Sequence, residues 1–170
     1  MFETFKLNYN KKVLFEIFFV SLIFAIDRVS KSIILHLSKI TGEFEMTLTS
    51  YLNLSLIWNR GIAFGLFSFE TNLYYNLISF LIGAIILLII VISKKSKGVE
   101  KISFLMIIGG ALGNLFDRIY YSAVPDFIDF HFKDFHWFVF NIADIFITLG
   151  VICLIFDEIF ANNKKNEKSI

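Results

Sequence analysis

Four stretches of this chain each carry about 20 mostly apolar residues, the length at which a helix rising ~1.5 Å per residue crosses a bilayer. They run from Val13 to Leu35, Leu73 to Ile92, Ile102 to Tyr121 and Phe140 to Phe160. Composition agrees, because 56% of the 170 residues are hydrophobic and 18% charged, whereas soluble domains are roughly a quarter charged. The expected fold is therefore an all-α membrane protein with four transmembrane helices. One integral domain covers residues 1–161, and residues 162–170 form a short polar tail expected to lack structure. Lys11 and Lys12 before the first run suggest a secretory signal, but the run is long, no small-x-small pattern follows it, and charges interrupt its far end. It reads as a retained helix.

Lysines set the orientation. Lys6, Lys11 and Lys12 precede the first run, Lys94, Lys95, Lys97 and Lys101 surround the second connection between runs, and Lys164, Lys165 and Lys168 end the chain. Ten of the 16 basic residues thus fall on one side, and the positive-inside rule places both termini in the cytoplasm. The two remaining connections face outward. In the first, the even positions from Phe44 to Trp58 are largely apolar and the odd ones mostly polar, a period of two that predicts a strand with one apolar face. The second, from Tyr120 to Phe140, is dense in aromatic residues among charges, which suits the headgroup layer. A formal charge of +1 gives no global field for nucleic acid. The single cysteine, Cys153, excludes an intramolecular disulfide and lies in an apolar run as a small hydrophobe.

Ionisable groups in or beside spans are costly and mark function. With this topology Asp27, Arg28 and Lys31 lie in the outer third of the first helix. Asn114, Asp117 and Arg118 lie in the last turns of the third, Asn141 and Asp144 in the first turns of the fourth, and Asp126 and Asp129 between those two. All gather near the outer surface. Asp27 reaches Lys31 at i+4, Asn114 reaches Asp117 at i+3 and Arg118 at i+4, and Asn141 reaches Asp144 at i+3. Neighbouring carboxylates in a partly dry site cannot all ionise, so a neutral acid coexists with a charged base. Such a pair can activate water and polarise a peptide carbonyl.

Each group also has a plain structural reading. Asp27 with Lys31 is a pair that lets the first helix end at the surface, Arg28 is placed for a lipid phosphate, and Asp117 is either an acid or a helix-end anchor oriented by Asn114. Gly109 and Gly113 form a GxxxG suited to close helix packing. His131 and His136 near Asp129 and Asp134 invite a zinc reading, but their spacing along the chain matches no compact metal motif, so no metal is expected. Spacing alone leaves Asp117, Asp126 and Asp129 open as partners of Asp144.

Five stretches in order resemble the bacterial lipoprotein signal peptidases, or signal peptidase II, across nearly all of the four runs. They are Asp27-Arg28-Val29-Ser30-Lys31, Asn59-Arg60-Gly61-Ile62-Ala63-Phe64-Gly65, Gly109-Gly110-Ala111-Leu112-Gly113-Asn114-Leu115-Phe116-Asp117-Arg118, Val124-Pro125-Asp126-Phe127 and Phe140-Asn141-Ile142-Ala143-Asp144. The resemblance implies an aspartic endopeptidase of the bacterial cytoplasmic (inner) membrane with its site on the extracytoplasmic side. It would remove signal peptides from prolipoproteins whose cysteine carries diacylglycerol, cutting just before that cysteine. By the same resemblance Asp126 and Asp144 are the catalytic pair, and Asn59, Gly61, Asn114, Arg118 and Asn141 line the site or orient the pair. Asp27, Lys31 and Asp117 support the fold, and no cofactor is required. The implied partners are diacylglyceryl-prolipoproteins and membrane lipids, and the protein is taken as a monomer. Where the family usually has valine before the first aspartate this chain has Pro125, which removes an N–H while Val124 stays extended. The outer strand and the Asn59 to Gly65 loop are expected to cover the site and move to admit substrate. A proton-coupled transporter, a metal-dependent headgroup transferase and a non-enzymatic assembly factor are the competing classes.

Overall fold

The only proline, Pro125, lies outside all four apolar runs, and each run forms a helix. The computed structural model describes residues 2–42, 44–61, 72–133 and 135–167. In chain order the elements are α1 (Phe2–Thr41), β1 (Glu45–Thr49), β2 (Leu52–Asn59), α2 (Asn72–Ser93), α3 (Gly98–Tyr121), β3 (Val124–Phe132), β4 (Phe135–Phe140) and α4 (Ile142–Glu167). The chain is thus mostly helical with a small antiparallel sheet, and Tyr75–Ser93 and Gly98–Tyr121 are long and apolar enough to cross a membrane. Its 40 residues make α1 longer than its apolar run at both ends. Helix α4 continues through Glu167, into the stretch expected to lack structure. Residues 161–167 contain neither glycine nor proline, so nothing local stops the helix.

Burial is inverted relative to a soluble protein. Lys31, Asn141, Asp27 and Asp117 are among the largest fully buried side chains, while Leu77, Phe80, Leu81 and Leu87 of α2 are exposed. A helix bundle with apolar flanks and a polar interior is what hydrocarbon selects. Helix α3 is central and packs against α1, α2 and α4. Small residues permit the approach: a Cβ on Gly109 would meet Ile23 of α1 at 2.8 Å, and one on Gly110 would collide with the Ala143 carbonyl oxygen of α4. Gly113 faces Asp27 as closely, and Gly150 of α4 does the same against Ser103 and Ile107. Gly110→Ala is therefore expected to force α3 from α4 and destabilise the protein by about 1–3 kcal/mol. Gly83→Ala, whose Cβ would meet only Leu115 at 3.8 Å, should melt like the unaltered protein in the same detergent.

The two connections expected to face outward fold together. The strand order is β1-β2-β3-β4, all antiparallel. The stretch expected to be one strand is a hairpin, with Met46 opposite Leu54 and Thr47 opposite Asn53. Even residues pair with even ones from Glu45 to Thr47, but a register shift before Thr49 pairs it with Leu52, and another between Leu54 and Ile57 turns Trp58 to the other face. The aromatic-rich segment supplies β3 and β4. Pro125 is accommodated because it is the second residue of β3, opposite Trp58, beyond the reach of β4, whose last partner is Ile128. Ile62 to Gly65, the greater part of the expected cover, lie outside the described residues.

Candidate active site

The C-terminal half of α1 carries Asp27, Arg28 and Lys31 within about one turn, and that turn meets α3. Lys31 Nζ donates to Asp27 at 3.0 Å, to Asp117 at 2.7 Å and to the Asn114 side-chain oxygen at 2.9 Å. Arg28 spans Asp27 and Asp117 with its guanidinium, which also lies 4.9 Å from the Phe116 ring centroid. Arg28 is therefore committed to protein carboxylates, not to the lipid phosphate expected of it. Asp117 is held by two cations from α1, and among the described residues it makes no bond to Asn114. Because Lys31 can only donate, it fixes which end of the Asn114 amide points toward it.

That choice aims the Asn114 Nδ2 at α4. Asn114 donates to Asp144 Oδ1 at 2.8 Å, a pairing across 30 residues that no local spacing reveals. At the start of α4 Asn141 and Asp144 cap each other. Asn141 Oδ1 accepts from the Asp144 N–H at 3.2 Å, and Asp144 Oδ2 accepts from the Asn141 N–H at 3.2 Å. This reciprocal cap satisfies two backbone donors and fixes the Asp144 carboxylate. Asp27 adds a buried carboxylate at the same terminus, accepting from the Ala143 N–H at 3.1 Å.

Asp126 arrives from β3. Its Oδ1 accepts from Asn141 Nδ2 at 2.6 Å and its Oδ2 from Asn59 Nδ2 at 2.9 Å. All four oxygens of Asp126 and Asp144 thus accept from an amide N–H, and Asn141 serves both residues. Asn59 also turns the chain locally, its Oδ1 accepting from the Gly61 N–H at 2.8 Å. Arg118 donates to the carbonyls of Gly61 and Asn114, both at 3.2 Å, leaving its buried Nε without a partner among the described residues. Burial first, then the Asp144 charge, pushes the Asp126 carboxyl up to about 6, against the hydrogen bonds of Asn59 and Asn141 and the charge of Lys31.

A cavity of about 420 Å³ opens onto Asp126 between Trp58, Asn59, Gly61 and the β4 residues His136 and Trp137. A second groove, about 850 Å³, lies beside it between α1 and the sheet, where Arg28, Lys39, Trp58, Phe116 and Tyr121 form part of the wall. Asp129 is not part of this constellation. It stands an odd number of residues from Asp126 on the same strand, on the opposite face, and pairs with His136 Nδ1 at 2.7 Å.

A family model described as signal peptidase (SPase) II matches residues 19–160. The chain belongs to the signal peptidase II family. A protein named lipoprotein signal peptidase from Pelagibacter ubique (strain HTCC1062) is 54% identical over 151 residues, covering 88% of this chain and 91% of the relative. One of the same name from Anaplasma phagocytophilum (strain HZ) is 39% identical over 159 residues, covering 92% and 99%. A solved chain described as a bacterial membrane enzyme structure obtained by the in meso method superposes with TM-score 0.72 at 29% identity, covering 88% of this chain and 90% of that one. This chain is accordingly a peptidase of the signal peptidase II family.

Within this signal peptidase II chain, the sequence reading passed over two contributors. Tyr75 of α2 is buried near enough to Arg118 and Asp117 to sense both charges, yet it looks like any tyrosine at the end of a span. Lys101, counted among the lysines of the second connection, is buried, bonded to the Ser93 carbonyl at 2.9 Å and paired with Glu16. It closes the end of α2 far from the site.

Proposed function

We propose that this chain is a lipoprotein signal peptidase of aspartic type, in which Asp126 and Asp144 remove signal peptides from diacylglyceryl-modified prolipoproteins by cutting before the lipidated cysteine. The observation that carries this reading is the full set of amide donors on the two carboxylates, bridged by Asn141. Those donors stabilise carboxylate charge, and a metal ion would have to displace them, so the donor set suits a pair that works by sharing a proton. Three buried carboxylates, Asp27, Asp117 and Asp126, and the half-buried Asp144 face three cations, Arg28, Lys31 and Arg118. One proton on the pair balances the cluster.

Chemically, the ionised carboxylate takes a proton from water as the water oxygen attacks the carbonyl before the cysteine, and the neutral one gives its proton to the carbonyl oxygen. The resulting tetrahedral diol collapses: the C–N bond breaks, the cysteine nitrogen takes the proton held by the first carboxyl, and a diol proton returns to the second. Asn59, Gly61, Asn114, Arg118 and Asn141 position the pair and the substrate backbone, while Asp27, Lys31 and Asp117 hold the helices that carry them. In this reading the protein is a multi-pass protein of the bacterial cytoplasmic (inner) membrane, with four spans, both termini in the cytoplasm and the site on the extracytoplasmic face. Exposed aromatics at the sheet, including Trp58, Phe130 and Trp137, suit a headgroup-level position. The bond to be cut then meets water there while acyl chains remain in lipid.

The deciding experiment offers the purified protein, with a chelator present, a prolipoprotein peptide with and without diacylglycerol on its cysteine. Cleavage before the cysteine of the modified peptide is expected, and failure to cut it overturns the reading. The pH profile adds a second check. Asp126 must hold its proton in the active form, so kcat/KM should fall as pH rises through about 6. The Asn59 hydrogen bond favours the ionised form, so Asn59→Ala should move that limb to higher pH. A limb that stays in place would remove Asp126 as the titrating acid.

A further inference from the structure

His131 and His136 are separated along the chain by a spacing that matches no compact metal motif, but the sheet brings them face to face. They are direct partners across the β3–β4 ladder, with ring centroids 5.4 Å apart. Asp129 precedes His131 by two residues on β3, on the same face. A register slip between Phe130 and His131 places His136 opposite His131. Without that slip Trp137 would stand there and His136 would point to the other side. The nitrogen and oxygen atoms that Asp129, His131 and His136 offer lie within 4.8 Å of one another.

Their hydrogen bonding is incomplete in a consistent way. Asp129 is 3% exposed, and its Oδ2 meets His136 Nδ1 at 2.7 Å. Its Oδ1 and the Nδ1 of His131 are both buried without a partner among the described residues. Asn53, opposite Asp129 across the β2–β3 ladder, has a side-chain oxygen in the same condition. Buried acceptors gathered at one spot with no donor are costly unless a cation satisfies them. Two imidazoles and a carboxylate form a set that suits a divalent transition metal. At bond lengths of ~2.0–2.1 Å, the ligands of a tetrahedral ion stand about 3.4 Å apart, so small rotations would close the cluster on one.

We propose that Asp129, His131 and His136 bind one divalent transition-metal ion of the zinc class, which clamps β4 to β3. Asp129 and His131 lie on the face of β3 opposite Asp126, and His136 reaches the edge of the cavity that opens onto Asp126, so the ion braces the strand that carries Asp126. Its position on the hairpin rim, with the His136 side chain 55% exposed, leaves a path for the ion to enter.

The test uses the full-length protein in detergent, with any purification tag removed and metal stripped by a chelator that is then washed out. Zinc is titrated against a chromophoric competitor at pH 7.5, and thermal midpoints are recorded with and without it. One equivalent is expected to bind and to raise the midpoint. His136→Gln and His131→Gln should each lower the affinity at least about tenfold and abolish the thermal response, while His36→Gln on α1 should change neither. Because His136 is largely exposed, its substitution leaves folding intact. No saturable equivalent, or one that survives loss of both histidines, overturns the proposal and leaves the cluster as a hydrogen-bonded pair. Cleavage of the lipidated peptide in chelator is read separately, so the dyad and the metal site stand or fall independently.

Discussion

Asp126→Asn and Asp144→Asn should each lower cleavage of a diacylglyceryl-modified prolipoprotein peptide by about 10²–10⁴-fold, the range expected when a positioned general acid or base is lost. The double variant should be hardly worse than either single one, because the two groups act as a unit. Folding will not explain the loss at Asp126. Its carboxyl is raised from 3.8 to about 6, so its contribution to stability is fully present below about 3.8 and lost as pH rises through about 6. At pH 7.5 the unaltered protein therefore carries an unfavourable buried charge, which Asp126→Asn removes. That gain offsets the hydrogen bond lost where the new amide nitrogen meets the Nδ2 of Asn59 or Asn141, so the variant should melt close to the unaltered protein. Asp129→Asn provides the contrast, since that residue faces His136 on the other side of β3 and should retain cleavage. Full activity in either dyad variant would move the chemistry to another pair.

What the sequence made legible follows the range of the interactions. Helices were visible because an apolar run of about 20 residues has few alternatives in a membrane. Asp27 with Lys31 and Asn141 with Asp144 were visible because i+3 and i+4 neighbours share a helix face. The Asn114 bond to Asp144, the Arg28 bond to Asp117 and the His131 partnership with His136 were not, because each depends on how two elements pack. Spacing suggested that Asn114 would orient Asp117, whereas Lys31 takes its oxygen and turns its nitrogen toward Asp144. The hairpin in β1 and β2 was hidden for a different reason. Away from the turn its register pairs even residues with even ones, and the shift that breaks this before Thr49 leaves no mark in a pattern of period two. Selection of Asp126 among three acids rests on family resemblance, and what spacing could not show is that Asp126 accepts from Asn59 and Asn141 together.

Lys31→Met should destabilise the protein by about 3–5 kcal/mol, the scale for removing one partner of a buried ion pair. Lys31 is 1% exposed, and Asp27 and Asp117, which it joins, are 0% exposed. Without the ammonium, both carboxylates depend on Arg28, whose side chain is 18% exposed, and a buried negative charge is left over. Asp117→Asn added to Lys31→Met should recover part of the lost stability, since the surplus charge goes with it. Activity should not recover in step. The Asn114 oxygen would still lack its lysine donor and would be held only by the Asn141 Nδ2 at 3.1 Å, so the amide would be freer to turn that oxygen toward Asp144. Two oxygens facing each other would shift the carboxylate that Asn114 and Asn141 hold in place. Thermal melting and kcat/KM measured on the same four proteins, the unaltered chain, each single variant and the double, separate the two effects. Stability and activity recovering together in the double variant would mean that Lys31 serves the fold alone; recovery of stability without activity makes it the residue that orients the site through Asn114.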